Sequence, residues 1–306
     1  MTRRCRLTEK EKQMRRREIL AAGAALPFIR AAAAANGAIG GAVTVFYAGS
    51  LVHLMDSGIG PAFDTADRGQ FRGYSGGSFR LVHEIKERLR TGDVFISADS
   101  RTNEDLMGPV NGDWVNWYVT FAQSPLVIGY NPASRFADDL KAKPWYDVLQ
   151  EPGIRIGRTD PNLDPKGRMA VDLLDKAERV YKLPDLSYKV LGAPESQEQL
   201  FPEEDLVSKL QSGDLDAGFF YSTETIDHNI AAITLPAEIS LSAHYTATVL
   251  REAPNPAGAD RFITFLLGAE GRTIMQRHGL DVVTLSFNGN PKKVPEALRS
   301  LVIAAD

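Results

Sequence analysis

From Gly41 onward the chain repeats one local order: a short β-branched or aromatic run, a small-residue turn, then apolar positions at helical spacing. Val43-Thr44-Val45-Phe46-Tyr47 runs into Ala48-Gly49-Ser50, and a helical pattern starts at Leu51. Ser78 precedes Phe79-Arg80-Leu81-Val82-His83-Glu84-Ile85, again with helical spacing, and Asp93-Val94-Phe95-Ile96-Ser97 is the next short strand. Strands alternating with helices predict an α/β sheet of parallel strands, with ligands outside the strands' carboxyl ends.

Residues 117–121 and 126–130 are two strand-like runs separated by a polar break, which marks a crossover from a first lobe to a second. A second α/β unit then extends to residue 245, residues 246–250 form a return strand, and an amphipathic helix at 259–267 completes the first lobe. The expected organisation is two α/β lobes joined by a two-stranded hinge: 41–122 plus 246–306 as lobe 1 and 123–245 as lobe 2. A chain of 306 residues has enough length to bury cores of that size.

The N-terminus has a different character. Arg15-Arg16-Arg17 precede Glu18-Ile19-Leu20, an apolar stretch interrupted by Pro27 and Arg30, and alanines at 31–35. A basic region, a modest apolar region and a small-residue cleavage site predict a signal peptide over residues 1–36, and the paired arginines point to the twin-arginine route. An Ala-rich amphipathic first helix is the alternative. The apolar stretch is too short to span a bilayer. Cys5, the only cysteine, lies in this segment, so the mature chain has no disulfide or thiolate chemistry. Residues 1–35 hold nine Lys/Arg and three Asp/Glu, a net +6, so the whole-chain charge of −4 becomes −10 without them. That acidity argues against nucleic acid or anionic lipid as a partner, and any anion site must work through local dipoles and hydrogen-bond donors.

Four places could supply such donors: Gly49-Ser50, Gly76-Gly77-Ser78, Asp164-Pro165-Lys166-Gly167 and Pro202-Glu203-Glu204. Each stands where a helix begins, with free N–H groups and the positive end of the helix dipole. Serine adds a hydroxyl donor, and glycine admits a ligand close to the backbone. Each also has a plain structural reading. Ser50 or Ser78 can be a helix cap, Asp164 a turn residue before proline, Glu203 a complement to a helix dipole, and Tyr221 a core residue of a buried strand.

Other chemistries find less support. Asp160-x-Asn162-x-Asp164 imitates a calcium loop but has Pro165 at its sixth position and Val171 at its twelfth. His53, His83, His228, His244 and His278 show no ligand spacing, and no zinc site is indicated. An exported serine hydrolase using Ser50 or Ser78 lacks a Gly-x-Ser-x-Gly elbow, and Gly-Gly-Ser-Phe-Arg lacks the lysine of a phosphate loop.

Val-Phe-Tyr-Ala-Gly-Ser-Leu at 45–51, Ser-Gly-Gly-Ser at 75–78 and Asp-Val-Phe-Ile-Ser-Ala-Asp at 93–99 resemble the periplasmic molybdate/tungstate-binding proteins of ABC importers. Residues 160–167 and 211–221 are similar to the archaeal-type tungstate/molybdate branch. The resemblance implies a type II periplasmic binding fold with an oxyanion held between the lobes. Gly49, Ser50 and Ser78 would donate from one side, and Asp164, Pro165, Lys166, Glu203 and Tyr221 would face them. It also implies that Asp164 and Glu203 bond directly to tungsten or molybdenum and raise it from four- to six-coordinate. Phe220 stands where many relatives carry an acidic residue. Sulfate or phosphate is the alternative guest, but sites for those ions need no carboxylate ligands. The expected protein is a periplasmic monomer without cofactor, catalysis or nucleic-acid partner, delivering tungstate or molybdate to importer membrane subunits.

Overall fold

The computed structural model describes residues 41–65, 69–192 and 197–303; the expected signal peptide lies outside them. Nine strands are described: β1 (Ala42–Ala48), β2 (Gln70–Gly76), β3 (Val94–Ser97), β4 (Trp117–Tyr130), β5 (Ile156–Gly157), β6 (Ala217–Tyr221), β7 (Ala231–Thr234), β8 (Ser242–Val249) and β9 (Asp281–Gly289). They pair in the order β2-β1-β3-β8-β4-β6-β5, with β7 and β9 also joined to β4. The α/β class stands, but the sheet is mixed. β1 pairs in parallel with β2 and β3, and β5 pairs in parallel with β6. β8 runs antiparallel to β3, and β4 runs antiparallel to β6, β7, β8 and β9. Helical crossovers keep strands parallel, so only the segments that the sequence pattern resolves as strand-helix-strand obey the expectation.

β4 is one strand of 14 residues, not two. Its first part, to Pro125, pairs with β8, and from Leu126 to Tyr130 it pairs with β6 and β7. The polar residues that suggest a break have partners inside the fold. Gln123 Nε2 donates to Asp281 Oδ2 at 2.6 Å. Ser124 Oγ lies 3.0 Å from Ser222 Oγ and accepts from the Thr223 N–H at 3.1 Å. β8 likewise starts at Ser242, ahead of the expected 246, with Ala243 and Tyr245 buried and His244 exposed between them.

Helices α1 (Ser78–Lys86), α2 (Pro165–Tyr181), α3 (Glu203–Ser212), α4 (Ser222–Asp227), α5 (Pro256–Leu267) and α6 (Ala269–Arg277) position the features that matter below. Among the described residues no helix is long and apolar enough to cross a membrane. Leu81, Val82 and Ile85 of α1 are buried, as are Ala170, Leu173, Leu174 and Ala177 of α2, each set forming one helical stripe. α5 begins at Pro256, earlier than its apolar period, because Asn255 caps it by accepting from the Gly258 N–H at 3.0 Å. Its Phe262 packs edge-on against Phe63 with ring centroids 5.2 Å apart. Burial of such a ring contributes about 1.5–3 kcal/mol.

Candidate functional site

Strand register builds one wall of the site. Ala48 lies opposite Gly76 and Tyr47 opposite Ile96, so β1, β2 and β3 finish level at their carboxyl ends. The chain leaving them places Gly49-Ser50, Gly77-Ser78 and Ala98 along one edge. Neither serine is the expected helix cap. Ser50 lies within the 3₁₀ turn Gly49–Leu51, and Ser78 is the first residue of α1, whose cap position is Gly77. The hydroxyls therefore take tertiary partners: Ser50 Oγ lies 3.0 Å from Tyr245 Oη, and Ser78 Oγ accepts from the Ala98 N–H at 3.2 Å.

Three helix starts build the opposite wall. Asp164 caps α2, accepting from the Lys166 N–H at 2.7 Å and from Thr159 Oγ1 at 3.0 Å. Pro165 occupies the first helical position, where its missing N–H costs nothing. Glu203 opens α3. Tyr221 ends β6 immediately before α4, and its N–H donates to Glu224 Oε2 at 2.8 Å. Lys166 joins these segments: its Nζ lies 3.1 Å from Glu203 Oε1 and 2.7 Å from Glu224 Oε1.

The walls touch where glycine leaves room. A Cβ on Gly49 would collide with Glu203 Oε2, and one on Gly77 would collide with the Leu163 carbonyl and crowd the Asp164 Cβ at 3.1 Å. The Arg80 N–H donates to that same Leu163 carbonyl at 3.0 Å. The Tyr221 ring meets the Tyr245 ring edge-on, centroids 6.3 Å apart. Gly49, Asp164, Lys166, Glu203 and Tyr221 thus meet in one buried cluster, Ser50 reaches it through Tyr245, and Ser78 and Pro165 are buried in the segments that flank it. A cavity of about 260 Å³, lined by Gly77, Arg80, Asp164, Phe201, Glu203 and Glu204, opens beside it.

The charges in this cluster are out of balance. Burial first, then the negative charge of Asp164, pushes the Glu203 carboxyl well above the ordinary carboxylate range, against the pull of Lys166. Burial alone would lower Lys166, but Glu203, Glu224 and Asp164 together hold it above its usual value. One ammonium therefore faces three carboxyl groups. Glu203 Oε2 is buried and accepts from no donor among the described residues, while its carboxyl faces that of Asp164. A proton retained by Glu203 relieves its repulsion with Asp164 in the absence of another partner. Tyr221 Oη is likewise buried without a partner, and burial followed by the charge of Asp164 keeps the phenol protonated. A free O–H donor and a free carboxyl oxygen in one enclosed site are hydrogen-bonding capacity that the fold itself does not use.

Tyr245 and Glu224 belong to the cluster but were not singled out from the sequence. Tyr245 sits in an alternating strand where an aromatic residue reads as core. Glu224 stands three residues after Tyr221, which reads as helix capping, and it does accept from the Tyr221 N–H.

The sequence profile described as bacterial extracellular solute-binding protein matches residues 43–281. A solute-binding protein of Petrotoga mobilis, described as uncharacterized, is 30% identical over 300 residues, covering 86% of this chain and 91% of its own. The molybdate/tungstate-binding protein WtpA of Thermococcus kodakarensis is 29% identical over 282 residues, covering 76% of this chain and 78% of its own. Among solved structures, the periplasmic molybdate-binding protein of Azotobacter vinelandii superposes with a TM-score of 0.60 at 18% identity, covering 78% of this chain and 98% of its own. That likeness establishes a shared fold.

Proposed function

We propose that this chain, which belongs to the bacterial extracellular solute-binding protein family, captures tungstate or molybdate and delivers it to the membrane subunits of an ABC-type importer. The observation that carries this reading is the pair of partnerless buried groups, Glu203 Oε2 and Tyr221 Oη, in a site that also contains Asp164 and Ser50. Tyr221 Oη and the serine hydroxyls would donate to the oxyanion's oxygens. Ionised Asp164 and Glu203 would repel a simple dianion. A hard W(VI) or Mo(VI) centre instead accepts carboxylate oxygen, so direct bonding by these two residues turns repulsion into selectivity over sulfate and phosphate.

In this reading residues 41–122 with 246–306 form lobe 1 and residues 123–245 form lobe 2, and β4 with β8 provides the crossings. Each lobe carries half of the donors, so the ligand selects the closed arrangement that presents both. The protein acts as a monomer and catalyses nothing. Ser50 and Ser78 find their described partners in Tyr245 and the Ala98 N–H, neither of which is a general base for a serine nucleophile. Residues 1–36 serve as a twin-arginine export signal, and the mature protein works outside the cytoplasm. Calorimetric titration with tungstate, molybdate, sulfate and phosphate tests the assignment. Binding of tungstate and molybdate at one site per chain, far tighter than sulfate or phosphate, is the expected result. Preferential binding of sulfate or phosphate, or no oxyanion binding at all, overturns it.

A further inference from the structure

Three of the five histidines, whose spacing carries no ligand motif, gather around Asp227 at the end of α4. His278 Nδ1 lies 2.7 Å from Asp227 Oδ1, and His53 Nδ1 lies 3.3 Å from Asp227 Oδ2. One ligand atom from each of His53, Asp227 and His278 falls within 4.8 Å of the others. The ring of His228 stands 5.1 Å from that of His53, and the ring of His278 stands 5.3 Å from it. The sequence-based expectation that no zinc site is indicated rests on ligand spacing along the chain, which is a property of local motifs. These residues come instead from three separate segments.

We propose that His53, Asp227 and His278 bind a divalent transition metal of the zinc type, at a site separate from the oxyanion cluster. The donor set of two imidazoles and a carboxylate is the one such ions take. His53 Nδ1 is itself buried and makes no hydrogen bond among the described residues, although its side chain is 41% exposed. Its 3.3 Å separation from Asp227 Oδ2 is the edge of a tetrahedron with metal–ligand bonds of about 2.0 Å. The 2.7 Å contact of His278 to Oδ1 is a hydrogen bond that must lose its proton and widen by about 0.6 Å, to the same 3.3 Å edge, to serve the same ion. Solvent can complete the shell on the exposed side of His53. Thr223 Oγ1 donates to the His278 carbonyl at 2.7 Å, docking the start of α4 on the end of α6.

The position of this site has a consequence that rests on the oxyanion reading. His53 follows Ser50 by three residues, and Asp227 follows Glu224 by three residues on α4. An ion held by His53 and Asp227 would pin together the same two segments that carry Ser50 and the Tyr221–Glu224 end of the oxyanion site. Metal and oxyanion would then strengthen each other's binding reciprocally.

Titration of tag-free, chelator-treated full-length protein with zinc alone tests the site without any oxyanion. We expect saturable binding in which one zinc per chain is lost in both His53→Ala and His278→Ala but kept in His83→Ala and His244→Ala. The loss should exceed the roughly 10–100-fold that changes to outer-shell partners produce. Zinc should also raise the thermal midpoint of the wild type and leave that of His53→Ala unmoved; His53 is half exposed, so this variant should still fold. No saturable zinc site, or zinc binding unchanged in folded His53→Ala, overturns the proposal. Failure of tungstate to bind would leave this result standing, and failure of zinc to bind would leave the oxyanion reading standing.

Discussion

Glu203 offers the most discriminating perturbation of the proposed function, because its raised pKa stores a proton that direct bonding to the metal centre would expel. A carboxylate can bond to a metal centre only when deprotonated. Where Glu203 starts protonated, tungstate binding through its carboxylate should therefore release one proton. The binding constant then rises tenfold per pH unit, about 1.4 kcal/mol, until the pH passes the pKa of Glu203. Calorimetry in two buffers of different ionisation enthalpy counts that proton directly. Glu203→Gln keeps the shape but cannot ionise, so it should abolish the release, flatten the pH dependence and weaken tungstate far more than sulfate. The ligand-free protein supplies an internal check of sign. Because burial and Asp164 raise Glu203 in the folded state, its contribution to stability is fully present below the ordinary carboxylate range. That contribution is lost as pH rises through the raised value, and the Gln variant should not show the loss. A wild-type binding heat that is independent of buffer, or an affinity that falls as pH rises, refutes the argument.

Three other substitutions test separate parts of the cluster. Tyr221→Phe removes a hydroxyl that no described residue uses, so it should weaken oxyanion binding by about 1.5–3 kcal/mol while leaving the chemical-denaturation midpoint essentially unchanged. Lys166→Met strands two buried carboxylates and should cost about 3–5 kcal/mol of stability in urea unfolding. Gly49→Ala places a methyl against Glu203 Oε2, and should abolish oxyanion binding in calorimetry while circular dichroism still reports a folded chain.

Much of this was legible in the sequence, for reasons that particular residues make plain. Val43 to Tyr47 ends in Gly49-Ser50 because a buried parallel strand is a β-branched run closed by a turn, and that pattern located β1 and its carboxyl end. Gly77-Ser78 marked the start of α1 in the same way. The polar stretch at 123–125 misled because a strand interior tolerates polar side chains when they find partners, as Ser124 does in Ser222 and Thr223. Glu224 and Tyr245 were illegible for another reason. Their roles depend on Lys166 and Ser50, which lie 58 and 195 residues away, and no local period reports such a contact. His53, Asp227 and His278 failed to stand out on the same ground.

The cluster also explains how an acidic chain can hold an anion. Removing residues 1–35 leaves a net charge of −10, so the general field of the molecule opposes a dianion. The only ammonium in the described cluster, Lys166, is already engaged by Glu203 and Glu224, so it cannot act as a simple anion receptor. What remains are the hydroxyls of Ser50, Ser78 and Tyr221, the helix starts, and the carboxyl groups of Asp164 and Glu203, the latter with its pKa raised by burial. For sulfate this set is unfavourable, because the carboxyl pair contributes either repulsion or a single hydrogen bond. A metal centre able to add two oxygen ligands gains both carboxylates once the proton leaves, and Lys166 then offsets part of the accumulated negative charge. On the proposed function, the feature that makes the site poor for ordinary anions is thus the one that would make it selective for tungstate or molybdate. Glu203→Lys should invert it, losing tungstate affinity while improving the weak binding of sulfate, as competitive titration would read.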